Sequence, residues 1–142
     1  MNLLASLFVV ASAAILFVLG AAHLLFTVRG PKLLPRDAAL QARMKETSPV
    51  ITRQTTMWKC WLGFNVSHSI ALLLFGAVYG YLALAESELL FRSVFLLALG
   101  LAVLLAYVVL ARRYFFSTPF AGVVVATLLY AGALVASRVQ GP

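Results

Sequence analysis

Residues 58–85 read WKCWLGFNVSHSIALLLFGAVYGYLALA. As an α-helix rising 1.5 Å per residue, this run is longer than the ~30 Å hydrocarbon core of a bilayer. Its one formally charged residue is Lys59, at the start. A helix this apolar around most of its circumference belongs in lipid. Three more runs have the same character: Leu3 to Val28, about Leu89 to Ala111, and about Pro119 to Ser137. The links Glu86-Ser87-Glu88 and Arg112 to Thr118 are short, which forces antiparallel neighbours. The expected fold is therefore all-α: a four-transmembrane-helix antiparallel bundle, one integral membrane domain over residues 1–142. Helices are expected at about 3–28, 49–85, 89–111 and 118–137.

Composition agrees. The chain is 63% hydrophobic and 11% charged, with a mean hydropathy of +1.02. A soluble domain of this size needs a polar shell that these residues cannot build. The formal net charge of +7 does not point to nucleic acid, because its distribution is one-sided. Arg29, Lys32, Arg36, Arg43, Lys45, Arg53 and Lys59 follow the first run, and Arg112 and Arg113 follow the third; only Arg92 and Arg138 lie toward the other side. This is the positive-inside pattern, and it favours anionic lipid headgroups at the cytoplasmic face. Both termini are then expected outside. Met1-Asn2-Leu3 offers no basic n-region, so a cleaved signal peptide is not expected, although Ala11-Ser12-Ala13 looks like a cleavage site. Cys60 stands alone, which excludes an internal disulfide and a cysteine-only metal site. No metal site is expected.

The cytoplasmic loop, about 29–48, is not featureless. Arg36 to Glu46 reads as a short amphipathic helix, with Leu40 and Met44 four apart, suited to the membrane surface. Ser48-Pro49 resembles an N-cap followed by proline at the first helical position. Nothing breaks the helical pattern from there to Gly63, so the second helix is expected to start near Pro49, outside the bilayer.

Polar residues inside a span are costly unless paired. Trp58, Trp61, Asn65, His68, Ser69, Leu72, Gly76 and Tyr79 fall within a sector of roughly 100° on the second helix. Ser12, Leu16, Gly20, His23 and Thr27 share a face of the first helix, and Ser93, Gly100 and Tyr107 a face of the third; Thr127 and Tyr130 can face inward from the fourth. His23, Asn65, His68, Tyr107 and Thr127 all fall within ~7–15 Å of the cytoplasmic helix ends at 1.5 Å per residue. Two readings stay open. These groups either tie the helices together by hydrogen bonds or line a cytoplasm-facing pocket. Gly76-Ala77-Val78-Tyr79-Gly80 has the small-xxx-small spacing of close helix packing.

The stretch from Arg53 to His68, RQTTMWKCWLGFNVSH, resembles the second helix of a group of small, uncharacterised bacterial four-helix integral membrane proteins. Gly20-Ala21-Ala22-His23 and the Tyr114 to Pro119 approach to the fourth helix are similar to the same group. The resemblance implies a bacterial cytoplasmic membrane and brings no activity with it. In layout alone the chain is also similar to the membrane-associated eicosanoid and glutathione metabolism proteins. Those have four helices, outward termini and a cytoplasmic glutathione site beside a long first loop. Here His68 stands where their Asn-x-x-Glu pattern has Glu, and the fourth helix lacks their arginine-tyrosine pattern.

The functional expectation is a pocket for a lipophilic small molecule, with apolar walls and a few convergent polar groups. If it is catalytic, His68 is the general acid or base, Asn65 and Tyr107 polarise a substrate oxygen and His23 is a second proton carrier. Trp58, Trp61, Ser69, Tyr107, Thr127 and Tyr130 would contact the substrate. One alternative is a b-type haem held by His23 and His68 as axial ligands. Another is an accessory subunit without chemistry, or a homo-oligomer. The cofactor, if any, is not specified by any motif.

The charge asymmetry predicts that reporter fusions near Pro142 report an external location and fusions within Arg36–Lys45 a cytoplasmic one. A cytoplasmic C-terminus would overturn the orientation.

Overall fold

The computed structural model describes residues 3–139. Six helices follow one another: α1 (Leu3–Val28), α2 (Ala38–Glu46), α3 (Met57–Ala85), α4 (Ser87–Arg92), α5 (Val94–Tyr114) and α6 (Ser117–Val139). No strand occurs among the described residues. Of these helices, α1, α3, α5 and α6 are long and apolar enough to cross a membrane. The chain is all-α, with the four spans its sequence predicts.

The residues form two compact units: 1–19 with 72–142, and 20–71. The first is a helical bundle drawing on all four spans. Its core comprises Ala5, Val9, Ala13 and Leu16 of α1, Leu72, Phe75, Tyr79 and Ala83 of α3, and Leu97, Leu104, Ala126, Tyr130 and Ala133 of α5 and α6. Small residues let α1 and α3 approach. A Cβ on Gly76 would stand 2.6 Å from the Phe17 Cβ and 2.7 Å from the Ala13 carbonyl oxygen. At Gly80 the nearest atom would be the Ala13 Cβ, at 3.8 Å. Only the first glycine of the motif is sterically required.

Tyrosines supply the polar ties of this unit. Tyr79 donates its hydroxyl to the Leu96 carbonyl at 2.8 Å, and Tyr130 to the Leu97 carbonyl at 3.3 Å. The two rings meet edge to face, with centroids 5.8 Å apart. Gly100 makes room for both, since a Cβ there would fall on the Tyr130 hydroxyl and the Tyr79 ring.

The second unit contains the end of α1, the basic loop, α2 and the beginning of α3. Helix α1 stops where Arg29 N–H bonds the Leu25 carbonyl at 2.8 Å and Gly30 takes a positive φ of 83°, a conformation that favours glycine. Asp37 caps α2, accepting from the Ala39 N–H at 2.8 Å. No residue of α2 is buried.

Two helix starts differ from expectation. The second span begins at Met57, not Pro49. Pro49 instead opens a turn closed by Thr52 N–H to the Pro49 carbonyl at 3.3 Å. Thr56 supplies the cap, its hydroxyl accepting from the Lys59 N–H at 3.4 Å, and the Met57 N–H bonds the Thr47 carbonyl at 2.8 Å. The third span begins at Val94, not Leu89. Ser93 caps it by accepting from the Leu96 N–H at 3.2 Å, which gives that hydroxyl a different task from the interior face foreseen for it. Residues Ser87–Arg92 form the separate helix α4, anchored by the buried Leu90.

Gly76→Ala is expected to cost about 1–3 kcal/mol, because backbone atoms of α1 must retreat. Gly80→Ala should change stability by less than about 0.5 kcal/mol, as an ordinary contact awaits the new methyl. Thermal unfolding of both variants in one detergent checks the contrast.

Candidate functional site

Within the second unit the structure brings together His23 of α1 with Asn65 and His68 of α3. Thr27 fixes the local backbone of α1 by donating its hydroxyl to the His23 carbonyl at 2.7 Å. Asn65 anchors itself on its own helix, its Nδ2 donating to the Trp61 carbonyl at 2.7 Å. That bond fixes the orientation of the amide, so Oδ1 is the atom presented to His23. His23 Nε2 lies 3.0 Å from it. An amide oxygen only accepts, so the neutral His23 ring carries its hydrogen on Nε2 and keeps Nδ1 as its lone-pair nitrogen.

His68 lies one turn further along α3, on the same face. Its ring meets that of His23 edge to face, centroids 5.2 Å apart and planes 80° apart. Both rings and the amide are half-buried. Ser69 is fully buried beside them, and its hydroxyl donates to the Asn65 carbonyl at 2.9 Å. Ser69 therefore packs the helix, with its proton already committed.

Trp58 and Trp61 stack at 5.0 Å with planes 23° apart. The Lys45 ammonium stands 5.5 Å from the Trp58 ring, a cation–π contact that links α2 to the start of α3. No periodic pattern marks this contact, because Lys45 and Trp58 lie on separate helices joined by an irregular loop.

The other expected substrate contacts belong to the first unit. Tyr107 is half-buried on α5 against its core. Thr127 donates to the Val123 carbonyl of its own helix at 2.8 Å. Tyr130 is 0% exposed and its hydroxyl is given to Leu97, so it serves as a core tie.

The histidine pair does not have the form of two axial haem ligands. Axial nitrogens face one another across the iron, with the macrocycle between the rings. Here the rings touch directly, and the Nε2 of His23 is engaged by Asn65. Among the described residues no three His, Cys, Asp or Glu side chains come together. What the cluster can do is hold one imidazole in a defined tautomer against a second one.

A double-mutant cycle between His23→Ala and Asn65→Ala should give a coupling of about 0.6 kcal/mol and no more than about 1.7 kcal/mol, the average and the maximum for hydrogen bonds between membrane helices. Additive losses in unfolding free energy would show that the bond contributes nothing.

No family model, curated protein or solved structure matches the chain.

Proposed function

We propose that this polytopic membrane protein uses the His23–Asn65–His68 cluster to receive a lipophilic small molecule from the cytoplasmic side, with His68 as its acid–base group. The observation that carries the reading is the meeting of the only two histidines in the chain, in apolar spans, around one oriented amide. In this reading the termini lie outside and the basic loop lies inside.

The chemistry follows from the residue types. An imidazole whose reference pKa is ~6.5 exchanges protons readily near neutral pH. Asn65 holds His23 in place, and a proton taken up by either ring acts electrostatically on the other across a few ångströms. Isomerisation of, or addition to, an isoprenoid, sterol or fatty substrate needs a proton delivered at one atom and removed at another. Two adjacent imidazoles supply both capacities without a charged carboxylate in the membrane.

A second reading has its own observation. His23 Nε2 and Asn65 Oδ1 satisfy each other at 3.0 Å, as a purely structural tie between helices would. The accessory-subunit reading rests on this.

Solvent extraction and mass spectrometry of the purified protein separate the two. His68→Ala is expected to lose the co-purifying lipophilic molecule and to melt within a few degrees of the parent, while Cys60→Ala keeps both properties. A large fall in melting temperature, with the bound molecule per folded protein unchanged, would move the assignment to the structural role.

A further inference from the structure

Val50 and Ile51 are the most exposed large apolar residues of the described chain, at 109% and 92%, and they lie outside every helix. Exposed side chains on the spans face lipid, but these two sit on a turn between α2 and α3. The turn is a built one. Thr52 N–H bonds the Pro49 carbonyl, and Gln54 N–H bonds the Thr52 hydroxyl at 3.1 Å. The ends of the loop are tied by Met57 N–H to the Thr47 carbonyl at 2.8 Å. Pro49 has no N–H to satisfy. Two adjacent apolar side chains thus project from a backbone that already meets part of its own hydrogen-bonding need.

The flanks of the turn are basic. Arg43 and Lys45 precede it, Arg53 and Lys59 follow it, and all four are exposed. From Arg29 to Lys59 seven cations stand against Asp37 and Glu46. Immediately after the loop come the stacked Trp58 and Trp61, with Lys45 over the Trp58 ring. Tryptophan and lysine together mark the headgroup level of a bilayer. The start of α3 therefore brings the turn to that level.

We infer that Val50 and Ile51 form an interfacial hook that inserts into the anionic leaflet beside α3, with Lys45 and Arg53 on the lipid headgroups. Irregular backbone is not tolerated in the hydrocarbon centre. The hook accordingly reaches only the boundary between headgroups and acyl chains, ~5–10 Å deep, as amphipathic surface segments do. Charge complementarity selects the occupant: a cationic rim around an apolar tip fits an anionic lipid surface better than a neutral one. The hook is independent of the histidine cluster and stands or falls apart from its function.

Nitroxide labels at Val50→Cys, Ile51→Cys and Gln54→Cys in the full-length Cys60→Ala protein test this. The protein is reconstituted in vesicles of phosphatidylcholine alone, or of phosphatidylcholine with phosphatidylglycerol. Collision rates with oxygen and with a water-soluble nickel complex read the depth of each label. The expected result is a several-fold higher oxygen-to-nickel ratio at 50 and 51 than at 54, larger with phosphatidylglycerol, and reduced by Lys45→Gln with Arg53→Gln. Water-like ratios at 50 and 51 would overturn the proposal. So would ratios indifferent to phosphatidylglycerol. Labels shielded from both probes would overturn it in favour of a protein contact, with spin–spin broadening identifying a second copy. A melting temperature matching the unlabelled protein establishes that each variant is folded.

Discussion

Hydrocarbon offers no hydrogen-bond partner, so a polar group in these spans finds one only within the protein itself. The side chains divide by length in how they meet that demand. Most short hydroxyls turn back on their own helices: Thr27 to His23, Ser67 to Phe64, Ser69 to Asn65, Thr127 to Val123 and Ser137 to Leu134; the buried hydroxyls of Ser6 and Ser12 on α1 are the exceptions, with no partner among the described residues. Such bonds join no two helices, and they commit the hydroxyl's proton while leaving its acceptor lone pairs. Only longer side chains reach a neighbouring element. Tyr79 and Tyr130 reach the first turn of α5, and His23 and Asn65 reach each other.

That division separates packing from candidate chemistry. In the first unit both tyrosines end on backbone carbonyls, each of which has a second lone pair to offer while remaining in its helix. The tyrosines are thereby held in one orientation over Gly100, in a region that is otherwise apolar. In the second unit His23 ends on a side chain, the Asn65 amide. A bond between an imidazole and an amide fixes a tautomer, and the neighbouring imidazole of His68 is then addressed by a defined ring edge. Interaction between titratable rings is a property a catalytic or proton-handling site can use, and a tyrosine on a carbonyl does not provide it.

The loop repeats the theme at the membrane boundary. Asp37 and Thr56 take up N–H groups where α2 and α3 begin, as Ser93 does between α4 and α5, so the polypeptide can change direction without a row of unsatisfied donors. At the end of α1 the chain turns through the positive φ of Gly30. The cations gathered between α1 and α3 then find aromatic faces, Lys32 over Phe26 at 4.1 Å and Lys45 over Trp58.

Much of this was legible in the residue order. Uninterrupted apolar runs specify four spans because lipid demands length and hydrophobicity and little else, and the limits of α1 follow directly from Arg29-Gly30-Pro31. The stripe carrying Asn65, His68 and Ser69, and the proximity of His23, could be drawn from helical periodicity and depth. The helix starts at Met57 and Val94 could not. Several Ser and Thr residues compete for each cap, and the choice of Thr56 over Ser48 depends on a loop closed through Thr47 and Met57. Periodicity also cannot say whether an inward hydroxyl meets a ligand, its own backbone or another helix. Tyr130 looked like a substrate contact and proved to be a core tie, because the space above Gly100 and the carbonyl of Leu97 exist only once α5 and α6 are packed.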